Sequence, residues 1–122
     1  TVTSVTDVTE GCGYVSFPET PDGTSFMVID SVLVRFDVHG PGTLTRSGAG
    51  VGMTEAEVQA LYPGQLTVAP HPYEGPVGHY LVFQPRDAAD TAFGLIFETD
   101  GLRITSYRAG LHDAVGYIEG CL

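Results

Sequence analysis

Gly50-Val51-Gly52-Met53-Thr54-Glu55-Ala56-Glu57-Val58-Gln59-Ala60-Leu61-Tyr62-Pro63-Gly64 is the stretch that decides the fold. Thr54 followed three residues later by Glu57 has the spacing of a capping box, in which each side chain accepts from the other residue's amide. Met53 before the cap and Val58 at the fourth helical position supply a hydrophobic staple. Val58, Leu61 and Tyr62 stand at i, i+3 and i+4 and so share one face. Pro63-Gly64 ends the run, because proline cannot extend a helix and glycine suits the cap region. The spacing predicts one helix, about 54–62, with one apolar side. The segments around it alternate like strands that need a cover for one face.

Upstream, Val32, Val34, Phe36 and Val38 fall on one side of residues 31–38, with Arg35 and Asp37 on the other. That is period-2 alternation with one buried side. His39-Gly40-Pro41-Gly42 breaks this strand, and the glycine-rich run 47–52 leads into the helix. Residues 13–17 and 25–30 read as two further strands, separated by a turn region containing Pro18, Pro21 and Asp22-Gly23. In residues 1–11, Val2, Val5 and Val8 recur at every third position, which fits neither period. This stretch is expected to be a flexible leader or tether, with room for a short edge strand.

Downstream, residues 65–69 place Leu66 and Val68 inward, 70–76 are too proline-rich for a central strand, and 79–84 form the next strand. Residues 92–99 and 102–108 flank Asp100-Gly101, a strong hairpin signal. A two-residue turn there pairs Thr99 with Leu102, Phe97 with Ile104, Leu95 with Ser106, Glu98 with Arg103 and Gly94 with Tyr107. Residues 115–118 are expected to form a last short strand that returns Cys121 towards Cys12. The fold class is α+β: a twisted antiparallel sheet of about six or seven strands with one helix on one face, inserted after the third strand.

The chain has 122 residues, the length of one domain, and carries a formal net charge of -10 from fifteen acidic residues against five arginines and no lysine. Such a balance argues against nucleic acid and anionic membranes as partners, since both are held by basic patches. It describes an acidic surface or one that meets a basic partner or a cation. No apolar run is long enough to span a membrane. Thr1 stands where a Met would begin a primary translation product, as in a trimmed mature form. Cys12 and Cys121 match no metal-site spacing. Read as a disulfide, they close residues 12–122 into a single domain, staple both ends to one sheet and imply an oxidising compartment. A loop of about 110 residues closed this way is stabilised by about 4 to 5 kcal/mol in the chain-entropy model.

Chemistry-bearing patterns are few. Gly48-Ala49-Gly50-Val51-Gly52 precedes a helix, but no P-loop Lys follows and Thr54 and Glu57 take the amides a phosphate would need. There is no G-x-S-x-G. His71, Glu74 and His79 are spaced H-x2-E-x4-H, which is no zinc pattern, and Asp87 and Asp90 lack the ligand density of a calcium loop. No catalytic residue, metal site or cofactor is expected. The candidate ligand-binding residues are His71, Tyr73, Glu74, His79 and Tyr80, in the 70–80 loop, where prolines lower the ordering cost of binding and tyrosines supply amphipathic contact area.

Leu61-Tyr62-x-Gly64, Pro70-His71-x-Tyr73, Tyr80-Leu81, Phe97-Glu98-Thr99-Asp100-Gly101, Arg108-Ala109-Gly110 and Glu119-Gly120-Cys121 resemble a group of uncharacterised bacterial exported proteins, secreted or lipid-anchored. The resemblance covers most of the chain from Cys12 onward and implies an extracytoplasmic place: periplasm, cell surface or medium. Gly50-Val51-Gly52-Met53-Thr54-x-x-Glu57-Val58 is similar to the helix entry of small envelope domains of the beta-lactamase-inhibitor and outer-membrane-assembly lipoprotein type. Those use a pair of helices where one is found here, and they imply a protein-binding module. The expectation is therefore a non-catalytic exported domain that binds a protein or envelope component. A small hydrolase using a His–carboxylate pair, or a metal-binding domain, is the alternative.

Overall fold

The computed structural model describes residues 4–9, 11–16, 23–72, 77–85 and 91–116. Among the described residues are eight strands and two short helices: β1 Ser4–Thr9, β2 Cys12–Ser16, β3 Thr24–Ile29, β4 Val32–Val38, α1 Glu55–Leu61, β5 Leu66–Pro70, β6 His79–Phe83, β7 Phe93–Thr99, β8 Ile104–Leu111 and α2 His112–Val115. The strands form one sheet in the order β1-β2-β3-β4-β8-β7-β6-β5, every neighbouring pair antiparallel. Two four-stranded meanders thus meet at a single seam, β4 against β8. The α+β antiparallel architecture is the one the sequence predicts. The strand count rises to eight because the stretch read as a leader supplies the edge strand β1, and a second short helix follows β8. Val115, expected in a last strand, ends α2 instead, and residues 117–118 lie outside the described residues.

The helix entry forms as the spacing requires. Thr54 Oγ1 accepts from Glu57 N at 3.1 Å, and Glu57 Oε1 accepts from Thr54 N at 2.9 Å. These bonds hold the Glu57 carboxyl below its ordinary value, the Thr54 backbone amide contributing most. Thr54→Ala is expected to cost about 1 kcal/mol at neutral pH. A group with a lowered folded pKa adds stability above its ordinary pKa and loses it as the pH falls through the folded value. Thr54→Ala keeps the backbone amide and removes only the second, smaller contribution, the Thr54 Oγ1 bond to Glu57 Oε1 at 3.0 Å, so the gap between Thr54→Ala and the parent should narrow only slightly below the carboxylate range, as urea titrations at a series of pH values would show.

The segment before α1 runs beside the β7–β8 turn like a short extra strand. Gly52 N donates to Ile104 O (2.9 Å), Ile104 N to Met53 O (2.8 Å) and Glu55 N to Leu102 O (3.0 Å). This lays α1 over one face of the sheet. Val58 and Tyr62 pack there with Val38, Leu81, Phe97, Ile104 and Tyr107, while Leu61 at the helix edge stays partly exposed. The opposite face is not a polar outer surface. It carries a second cluster, Met27 and Ala114 with Cys12, Tyr14, Ile29 and Val34, beneath α2.

Strand β4 departs from simple alternation. Met27 pairs with Arg35 and Val28 with Leu33, so Val34 is the extra residue of a bulge and joins the second cluster rather than the Phe36 face. Arg35 and Asp37, read from the sequence as the side facing away from the core, are both buried. Across the seam, Gly110 lies opposite Arg35 with φ +153°, and a Cβ there would stand 2.3 Å from Val34 O. Only glycine allows the bulged strand to approach so closely.

The β7–β8 hairpin also differs from its expected register. Asp100 Oδ1 accepts from both Leu102 N (3.0 Å) and Arg103 N (2.9 Å), so the side chain organises a wider turn over residues 100–103. A register shift between Glu98 and Thr99 follows. Thr99 pairs with Ile104, Glu98 with Ser106, Phe97 with Tyr107, Leu95 with Ala109 and Gly94 with Gly110. The expected Glu98–Arg103 pair does not form. Arg103 Nη1 donates to Gly52 O instead, at 2.9 Å.

Candidate functional site

The 70–80 loop joins β5 to β6, and its described residues are fixed from several directions. His71 N donates to Gly78 O at 3.0 Å, which closes the neck of the loop. Adjacent residues on a strand point to opposite faces, so His79 and Tyr80 at the start of β6 part company. His79 turns to the α1 side, where its Nδ1 pairs with Glu55 Oε2 at 2.7 Å. Thr99 Oγ1 donates to the same carboxylate oxygen and accepts from the amides of His79 (3.2 Å) and Gly101 (3.1 Å). Glu55, in the first turn of α1, is thereby tied to β6 and β7 at once.

On the other face, Tyr80 packs edge-on against the His71 ring, with centroids 5.0 Å apart, and the Arg108 guanidinium lies 5.1 Å from the Tyr80 ring centroid. Glu98 joins His71 and Arg108 by opposite oxygens. Its Oε1 accepts from His71 Nε2 at 2.7 Å and its Oε2 from Arg108 Nη1 at 2.5 Å. The side chains of His71 and Arg108 are almost wholly buried, and that of Glu98 is 24% exposed. Arg108 Nε donates to Val115 O (2.6 Å), and Arg35 Nη1 donates to Ala114 O (2.8 Å). The two arginines thus clamp the carbonyl end of α2 to the sheet, where a positive charge complements the helix dipole.

Of the five residues named from the sequence, the structure brings His71 and Tyr80 together and sends His79 to the opposite face. Tyr73 and Glu74 lie outside the described residues. Sequence reasoning missed Glu98, Arg108, Glu55 and Thr99. Glu98 and Arg108 were hidden by the wrong hairpin register. Glu55 stands in the first turn of α1, and nothing local in the sequence links it to His79. Two His–carboxylate pairs do lie within hydrogen-bond reach, His71–Glu98 and His79–Glu55. Two apolar hollows among the described residues lie elsewhere. One, of about 250 Å³, is walled by Val82, Ile96, Gly94 and Val115 beneath α2. Another, of about 490 Å³, borders Ile29, Val34 and Ala114.

Among the described residues, no group of three or more His, Cys, Asp or Glu side chains is placed to hold a metal ion. No helix among them is long and apolar enough to cross a membrane. Cys12 is not a free thiol; Cys121 lies outside the described residues. No family model matches the sequence, and no curated protein and no solved structure matches it either.

Proposed function

We propose that the chain is a non-catalytic, extracytoplasmic binding module that presents its 70–80 loop to a protein or cell-envelope partner. One observation carries this reading: the two ends of the loop are held in advance. Its neck is closed by His71 N and Gly78 O, and its two histidines tie it to opposite faces of the sheet through Glu98 and Glu55. At the same time Val77, beyond the neck, is 70% exposed. A loop whose ends are already fixed on a rigid sheet has less freedom to lose on binding. The histidines are spent on this anchoring rather than aimed into a hollow. The extracytoplasmic placement rests on the proposed Cys12–Cys121 bridge and on the resemblance to exported proteins.

A capture experiment tests the reading. Wild-type chain and Val77→Asp, both verified as folded, are immobilised and exposed to bacterial envelope extract. The expected result is a retained protein that Val77→Asp holds about tenfold less well, as for an apolar contact at the centre of an interface. Equal retention by both chains, or by an unrelated acidic domain, would overturn it.

A second reading, a small hydrolase, is favoured by one arrangement. His79 has its Nδ1 on a carboxylate that Thr99 also holds, and its side chain is 29% exposed, which is how a general base is oriented. His79→Ala without loss of any esterase or amidase activity found in the parent would dispose of it.

A further inference from the structure

We propose that the outer edge of β5 takes an extended, basic peptide segment as an added strand, and that this is how the binding module engages its partner. The inference rests on the binding reading above and supplies the partner's chemistry. It begins with the hydrogen-bond parity of the β5–β6 ladder. Gln84 N donates to Gln65 O (2.6 Å) and His71 N to Gly78 O (3.0 Å), so residues 65, 67, 69 and 71 direct their amides and carbonyls at β6. Leu66 and Val68 therefore point N–H and C=O away from the sheet, and Pro70 adds a carbonyl. Pro70 can end this strand because the amide it lacks would have faced outward.

The two edges of the sheet are not equivalent. Strand β1 has a register shift between Asp7 and Thr9, a device that blunts an edge against pairing. Strand β5, Leu66–Pro70, has an unbroken register and no charged residue. Its Val68 side chain is 47% exposed, and Leu61, at the end of the helix that precedes it, is 37% exposed. An added strand would find backbone partners and an apolar margin for alternate side chains.

The net charge of -10, with no lysine, decides the occupant. It opposes pairing of β5 with β5 of a second copy and draws in a segment bearing Lys or Arg on its outward side. Self-pairing would also lose the amide absent at Pro70. A strand-forming segment of another protein, apolar on one side and basic on the other, meets both conditions.

The test uses the folded chain and a capped ten-residue peptide of alternating valine and lysine, with a valine–glutamate peptide as its counterpart. Fluorescence anisotropy is expected to show binding of the lysine peptide alone, weakening as salt is raised. Amide exchange at Leu66 and Val68 is expected to slow about tenfold or more in the complex. Val68→Pro removes one outward amide without touching the ladder to β6 and should weaken binding about tenfold, whereas Val68→Thr should change it less than about threefold. Exchange at Thr67 and Ala69 reports whether β5 stays folded in each variant.

Unchanged Leu66 and Val68 exchange in the wild-type chain, equal binding of the glutamate peptide, or full affinity in a folded Val68→Pro would overturn the proposal. Loss of envelope capture in Val77→Asp alongside such a failure would leave the loop reading standing and remove only the edge. A peptide that docks on β5, with capture unaffected by Val77→Asp, would do the reverse.

Discussion

Arg35→Met is expected to destabilise the protein by about 3 to 5 kcal/mol, a large share of the stability of a domain this size. The Arg35 guanidinium grips Asp37 with two parallel bonds, Nε to Oδ1 at 2.6 Å and Nη2 to Oδ2 at 2.8 Å, with side-chain exposures of 4% and 13%. Taking away the cation leaves a carboxylate stranded in the second core and frees the Ala114 carbonyl that Arg35 Nη1 holds. The double variant Arg35→Met, Asp37→Leu should recover much of the loss, because no unpaired charge stays behind. Urea unfolding of the two variants and the parent measures both effects. A single variant within about 1 kcal/mol of the parent would mean that water reaches Asp37 and that the second face is more open than its burial indicates.

Cys12→Ser is expected to lower stability by about 4 to 5 kcal/mol and the melting temperature by on the order of 15 °C. The expectation follows from the proposed pairing of Cys12 with Cys121. Reversing the crosslink restores to the unfolded chain the freedom of nearly its whole length. The end of β2 would also lose its anchor beside Ile29, its register partner on β3. Calorimetry with and without reductant gives the size of the effect. Alkylation of the unreduced, denatured chain gives its cause: no thiol should react. Two reactive thiols and an unchanged melting temperature would refute the bridge and the compartment inferred from it.

The helix was legible in the sequence because every signal for it is local: Thr54, Glu57, Met53 and Val58 lie within a few residues of one another, and they do what their spacing requires. The strands were legible from alternation, and the turn at Asp30-Ser31 from their separation. That turn is tight, with φ of +49° and +69° at the two residues, a conformation that Asp30 tolerates but that Ser31 does not advertise. What escaped was set by competition between local choices. Asp100 could serve a two-residue turn or cap a wider one with its own carboxylate, and the second option moved Glu98 away from Arg103. Arg35 and Asp37 followed the period of an exposed face. Among the described residues α2, four residues with no side-chain cap, packs on that face. One clue was available: opposite charges two apart on a strand share a face and can pair there. The site suffered from the same gap, since Glu98 and Arg108 reach His71 only once the hairpin register is right.

The seam has a kinetic meaning. Strands β1 to β4 are joined hairpin by hairpin, and so are β5 to β8, so seven pairings collapse to six between sequence neighbours and one between β4 and β8. Closing that last pairing brings Val38 to Tyr107 across some 70 residues of intervening chain, and its entropy grows only as the logarithm of that span. The topological difficulty of an eight-stranded sheet is thereby gathered into one event. That event buries Arg35 and Asp37, since their strand meets β8 nowhere else. The ion pair can stay hydrated until the two halves join, and only then does its geometry have to be right.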